Sequence, residues 1–96
     1  MSRRLVVLPQ AAAEVNDAAA WYERQNPSSA IKFNEAFRVA LTRLGENPFQ
    51  YQVVQDEVRR APLRRFPYGL LYVVEEEAVV VLSCFHASRD PAQWPV

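Results

Sequence analysis

Two glycines in 96 residues, one cysteine, one histidine and no net charge set the first limits on this chain. Two glycines leave no room for a phosphate-cradling loop or a dinucleotide fingerprint, both of which need several. Cys84 alone cannot close an internal disulfide, and with only His86 beside it a zinc site lacks ligands. No metal and no cofactor are therefore expected. No long apolar run is present either. The longest aliphatic stretch, residues 78–82, is far short of the ~20 residues that cross a bilayer. Near the start, residues 5–8 are the only apolar run before Pro9, too short for the core of about 7–15 residues of a secretory signal. A cytoplasmic protein without membrane association is expected.

Half of the residues are hydrophobic, which excludes low-complexity disorder. The length suits one domain, residues 1–96, with a modest core: about 60–65% of the unfolded surface is buried at this size. The 11 basic and 11 acidic side chains cancel but are not evenly spread. Arg59, Arg60, Arg64 and Arg65 fall within seven residues that hold no acid. Such a local basic stripe is a candidate docking surface for phosphate or for an acidic partner.

Periodicity supplies the rest of the plan. Residues 4–8 read as a short β-branched strand stopped by Pro9. Helix formers over residues 10–25 carry Val15, Ala18, Ala19 and Tyr22 at helical spacing, with Trp21 at the edge of that stripe and Glu14, Asp17 and Glu23 on the outer face. Asn26-Pro27 breaks this helix, and Ser28 or Ser29 is the expected cap of a second one over residues 30–45. Phe33, Ala36, Phe37, Ala40, Leu41 and Leu44 line its inner face, while Lys32, Glu35, Arg38 and Arg43 lie outside. Residues 49–57 read as a loop. Three strands follow at 58–65, 68–75 and 78–86, with Glu75–Glu77 as the last hairpin turn. Pro62 marks the first of them as an edge or bulged strand, and the last is apolar enough to be central. The predicted fold class is α+β: β-α-α-β-β-β, a helical hairpin packed on a small, mainly antiparallel sheet.

Strand alternation predicts that Arg60 and Arg64 project together from the face opposite Ala61 and Leu63, with Arg59 and Arg65 at the ends of the buried face. A solvated edge that deters aggregation explains this stripe as well as a binding role does. His86 is the one side chain able to titrate near neutrality without perturbation, so histidine-based proton transfer must run through it. Beside arginines it could support phosphodiester cleavage, with guanidiniums stabilising the phosphorane charge. A structural hydrogen-bonding role is the plainer reading. Cys84 is expected to be a buried, inert thiol, and Trp21 and Tyr22 to belong to the core.

Four blocks of sequence carry a resemblance. They are Ala18-Ala19-Ala20-Trp21-Tyr22-Glu23, Glu46-Asn47-Pro48, the run from Val58-Arg59-Arg60-Ala61-Pro62-Leu63 into Arg64-Arg65-Phe66-Pro67-Tyr68-Gly69, and Phe85-His86-Ala87-Ser88-Arg89-Asp90-Pro91. In this order they resemble the RelE/ParE superfamily, the toxin halves of type II toxin–antitoxin (plasmid stabilisation) modules. The resemblance implies the β-α-α-β-β-β fold and growth arrest relieved by a ParD-like or other small antitoxin. It leaves two targets open. ParE-like members poison DNA gyrase without chemistry of their own; RelE-like members cleave mRNA on the ribosome. This chain has almost no lysine and no tyrosine after Tyr72, which favours the ParE-like reading. A histidine-based endoribonuclease would use His86 with Arg64, Arg65 and Arg89. A module that only binds its antitoxin is the third reading. The residues expected at the target are Arg60, Arg64, Arg65, His86 and Arg89; those expected at the antitoxin are Trp21, Tyr22, Phe37, Arg60 and Arg64.

Overall fold

The computed structural model describes residues 3–88. Its elements run β1 (Arg4–Val7), α1 (Pro9–Gln25), α2 (Pro27–Glu46), β2 (Val53–Gln55), β3 (Val58–Pro62), β4 (Tyr68–Val74) and β5 (Ala78–His86). The strands form one sheet in the order β1-β5-β4-β3-β2. β1 is parallel to β5 and the other pairs are antiparallel. The chain is α+β, two helices on a five-stranded mixed sheet.

Each helix begins at a proline, where the missing N–H removes no helical bond. One residue separates the helices. Asn26 ends α1 by donating its amide to the Tyr22 carbonyl, and its side-chain oxygen accepts from the Ser28 amide at 3.0 Å to start α2. The cap is thus Asn26 rather than Ser28 or Ser29, and α2 begins three residues earlier than the periodicity predicts. Proline at the first helical position suits a helix that starts with φ already set.

One face of the sheet is covered by the helices. Phe33 and Leu44 of α2 and Ala11, Val15 and Ala18 of α1 pack on Ala61, Leu70, Tyr72, Val79 and Val81. Tyr22, Phe33, Phe66 and Tyr68 form a ring cluster with centroids 5.0–6.3 Å apart, a spacing at which edge-to-face pairs add to simple burial. The opposite face holds a second, smaller cluster of Val58, Leu71 and Phe85, flanked by Val73 and Leu82. β5, apolar except at Ser83 and His86, lies between β1 and β4, as a strand buried on both faces must.

Three expectations are corrected. Residues 53–55 are a strand rather than loop; β2 is three exposed residues paired to β3, so no burial alternation marks it in the sequence. β3 ends at Pro62 instead of continuing to residue 65, because proline can close a ladder but not carry it on. Its outer side is paired at Val58 and Arg59, with the Arg60 amide donating to the Gln52 carbonyl at 3.1 Å, so Pro62 lies past this pairing, on the free part of the β3 edge. Trp21 is 48% exposed and is not a core residue. Among the described residues no helix is long and apolar enough to cross a membrane.

Candidate functional site

The four arginines of the basic stripe part company. Arg59 pairs with Tyr72 in the sheet, and its guanidinium donates to the Tyr51 carbonyl at 2.6 Å while lying 5.2 Å from the Phe49 ring centroid. It clamps the chain segment leading into β2. Arg60 pairs with Leu71 and so shares the open face of the sheet with the Val58–Leu71–Phe85 cluster. It lies across Gly69, where a Cβ would stand 2.9 Å from Arg60 Nε, so the glycine makes room for the guanidinium.

Arg64 and Arg65 are not on the strand. They form the turn between β3 and β4, closed by a 2.8 Å bond from the Leu63 amide to the Tyr68 carbonyl, and Arg65 takes a left-handed φ of 70°. The turn carries both arginines to the outer side of α2. There, with Lys32, Glu35, Ala36, Val39 and Phe66, they line an open groove of about 570 Å³, so Ala36 serves this groove at the margin of the predicted inner face. The predicted pairing of Arg60 with Arg64 on one face is therefore corrected: a turn has no two-residue alternation to keep them together. Among the described residues no carboxylate forms an ion pair with Arg60, Arg64, Arg65 or Lys32.

His86, the last residue of β5, lies in a second concavity of about 300 Å³, lined also by Glu14, Asp17, Trp21, Arg24 and Tyr68. Its ring packs edge-on to Tyr68 at 5.2 Å, its strand partner. The Ser88 amide donates to His86 Nδ1 at 3.1 Å, and the Ser88 hydroxyl lies 2.7 Å from the same nitrogen. A backbone N–H can only donate, so Nδ1 is an acceptor and the neutral ring carries its proton on Nε2. Neither Arg64 nor Arg65 reaches this concavity. Arg89 lies outside the described residues. The proposed nuclease set is thus not assembled among the described residues.

Glu14 was legible only as an outer-face acid, and this is corrected: its side chain is half-buried, and Oε1 accepts from the Ser83 hydroxyl at 2.8 Å and from the Cys84 amide at 3.0 Å. Arg24 also escapes a sequence reading, since it carries no distinguishing spacing. Cys84 is buried, and burial together with the nearby Glu14 charge pushes its thiol up to about 12. It is protonated and inert at neutral pH. Burial, with a smaller contribution from Tyr68, also raises Tyr22. Tyr22 and Phe37 pack against the core from its margin, leaving Trp21 as the exposed aromatic of the three. No group of three His, Cys, Asp or Glu residues among those described is placed to hold a metal ion.

Comparison with known proteins adds a family to this geometry. No curated protein matches the chain. In structure it is similar to a solved protein described as "Chromosomal ParDE TA system from P. aeruginosa", with a TM-score of 0.80, 19% sequence identity, and coverage of 90% of this chain and 97% of that one. At that identity the likeness is one of fold. The sequence model of a family described as "ParE toxin of type II toxin-antitoxin system, parDE" matches residues 5–91. That span takes in both helices, β2 to β5, all of β1 but Arg4, and both concavities, and the chain belongs to the family of ParE toxins of type II toxin–antitoxin systems.

Proposed function

We propose that this ParE toxin arrests growth by binding and poisoning DNA gyrase, and that a cognate ParD-like antitoxin neutralises it. The family match over residues 5–91 supports the toxin role. The state of His86 carries the choice of gyrase over mRNA cleavage. A general base must offer a free lone pair to the proton it removes. The lone pair of Nδ1 is engaged by the Ser88 amide, and Nε2 bears the proton. Among the described residues, two carboxylates, Glu14 and Asp17, stand in the same concavity, against one guanidinium, Arg24. That balance repels a phosphodiester where a nuclease would need to attract it. A surface that only binds has no such requirements.

The test is direct. Purified toxin is added to gyrase supercoiling a plasmid, and in parallel to ribosomes translating a defined mRNA. Inhibited supercoiling with accumulated cleaved plasmid, and intact mRNA, is the expected pair of results. Ribosome-dependent mRNA cleavage with unaffected gyrase would make the chain an endoribonuclease instead. Normal growth of cells at verified soluble expression would make it a module that only binds its antitoxin.

A further inference from the structure

The groove between α2 and the β3–β4 turn has no place in the chemistry considered so far. We infer that it is the seat of an acidic segment of the antitoxin that also carries an apolar side chain, and that this seat is separate from the His86 concavity. The inference rests on the reading that the toxin works with an antitoxin partner. Lys32, Glu35, Ala36 and Val39 fall at i, i+3, i+4 and i+7, a single stripe along the side of α2 turned away from the core residues Phe33, Ala40 and Leu44. This second stripe, on a helix already packed through its other face, is half apolar. Val39 is 40% exposed, and Ala36, Val39 and Phe66 make an apolar floor.

Around that floor stand Lys32, Arg64 and Arg65 against one carboxylate, Glu35, a formal +2 on a chain whose total is zero. Among the described residues none of the three cations has an ion-pair partner. The turn holds Arg65 at φ 70°, a conformation that costs a non-glycine residue free energy and persists only where the surroundings impose it. Three cations without an ion pair among the described residues, around an apolar floor, complement a segment that brings carboxylates and an aliphatic or aromatic side chain together. A nucleic-acid backbone fits less well, because it offers no apolar group to the floor. The groove and the His86 concavity share no lining residue, so the two are separate places on the surface.

The experiment uses full-length toxin and its co-encoded antitoxin, titrated calorimetrically at low and high salt. Three forms are compared with the unmodified chain: Arg64→Glu with Arg65→Glu, Val39→Asp, and Arg38→Glu, which reverses a charge on the exposed part of α2 outside the groove. Circular dichroism checks each fold; Val39→Asp, at an exposed helical position, carries the test alone should the arginine pair fail to fold. Binding about tenfold or more weaker for both groove variants, with a flatter salt dependence for the arginine pair, is expected. Arg38→Glu should stay within about twofold of the unmodified chain. Groove variants that bind as Arg38→Glu does would overturn this seat while leaving the antitoxin reading intact. No binding by the unmodified chain would overturn both. Displacement of the antitoxin by a DNA or RNA oligonucleotide, lost in the arginine pair, would reassign the groove to nucleic acid.

Discussion

Glu14 of α1 accepts a 2.8 Å hydrogen bond from the hydroxyl of Ser83 in β5, and the same oxygen takes the Cys84 amide at 3.0 Å. The contact falls where β5 carries one residue more than β4: Leu71 pairs with Ser83 but Tyr72 with Val81, leaving Leu82 as the extra residue. A bulge leaves backbone groups without ladder partners, and here a carboxylate from the helix satisfies one of them. α1 is thereby fastened to the strand that ends in His86.

Removing that oxygen should therefore destabilise the fold. Glu14→Ala leaves the Cys84 amide and the Ser83 hydroxyl without their acceptor and is expected to cost about 2–3 kcal/mol in urea unfolding. Glu14→Gln keeps a carbonyl acceptor and should cost roughly 1 kcal/mol or less. Equal losses for the two would mean that the contact contributes through packing rather than hydrogen bonding.

His86→Gln should keep most of its toxicity when expressed without antitoxin. Glutamine retains polarity and hydrogen bonding but transfers no proton at neutral pH, and loss of a true acid–base group costs about 10²–10⁴ in rate. Growth arrest scored against expression level decides between the two. A folded but harmless His86→Gln protein would point to chemistry at this residue.

At residue 65 the interests of stability and binding part. In a left-handed conformation glycine is free of the Cβ penalty that alanine and arginine carry. Arg65→Gly should therefore be about 1 kcal/mol more stable than Arg65→Ala by thermal or urea unfolding. Both should bind antitoxin more weakly than the unmodified chain, because both lack the guanidinium. Alanine equal to glycine in stability would show that the strain is absent in solution.

Tyr72 gives a prediction in pH. Its hydroxyl donates to the Pro48 carbonyl at 2.6 Å inside the core, and burial is the main cause that pushes its phenol up from 10 to about 12. The folded state therefore holds the proton more tightly than the unfolded chain does. Stability from this group is complete below pH 10 and is lost as pH rises from there through about 12. Tyr72→Phe should flatten that alkaline decline in urea midpoints. At neutral pH it should cost about 1–2 kcal/mol, since the buried carbonyl of Pro48 loses its donor.

Much of this was readable before any coordinates. Pro9 and Asn26-Pro27 punctuate the helices because proline's geometry is local, and the residues 78–86 announce a central strand because only burial on both faces tolerates so few polar groups. β2 escaped because three exposed residues carry neither alternation nor an apolar run. The arginine stripe was visible as composition, but its division was not. A strand with proline in it could end at Pro62 or bulge and continue, and the two outcomes send Arg64 to opposite sides of the sheet.

The sequence by itself determined the family, the α+β class and the order of nearly all elements, since each follows from local propensity, hydrophobic period and motif order. Which charges meet was decided only by the tertiary structure. Glu14 reaches the β5 bulge from 69 residues away, Arg65 comes to line one groove with Lys32 because a turn carries it there, and His86 finds Ser88 at its ring. These are contacts between side chains brought together by packing. No periodicity encodes them, because the position of each depends on where a strand ends and on which side of a helix the next segment passes.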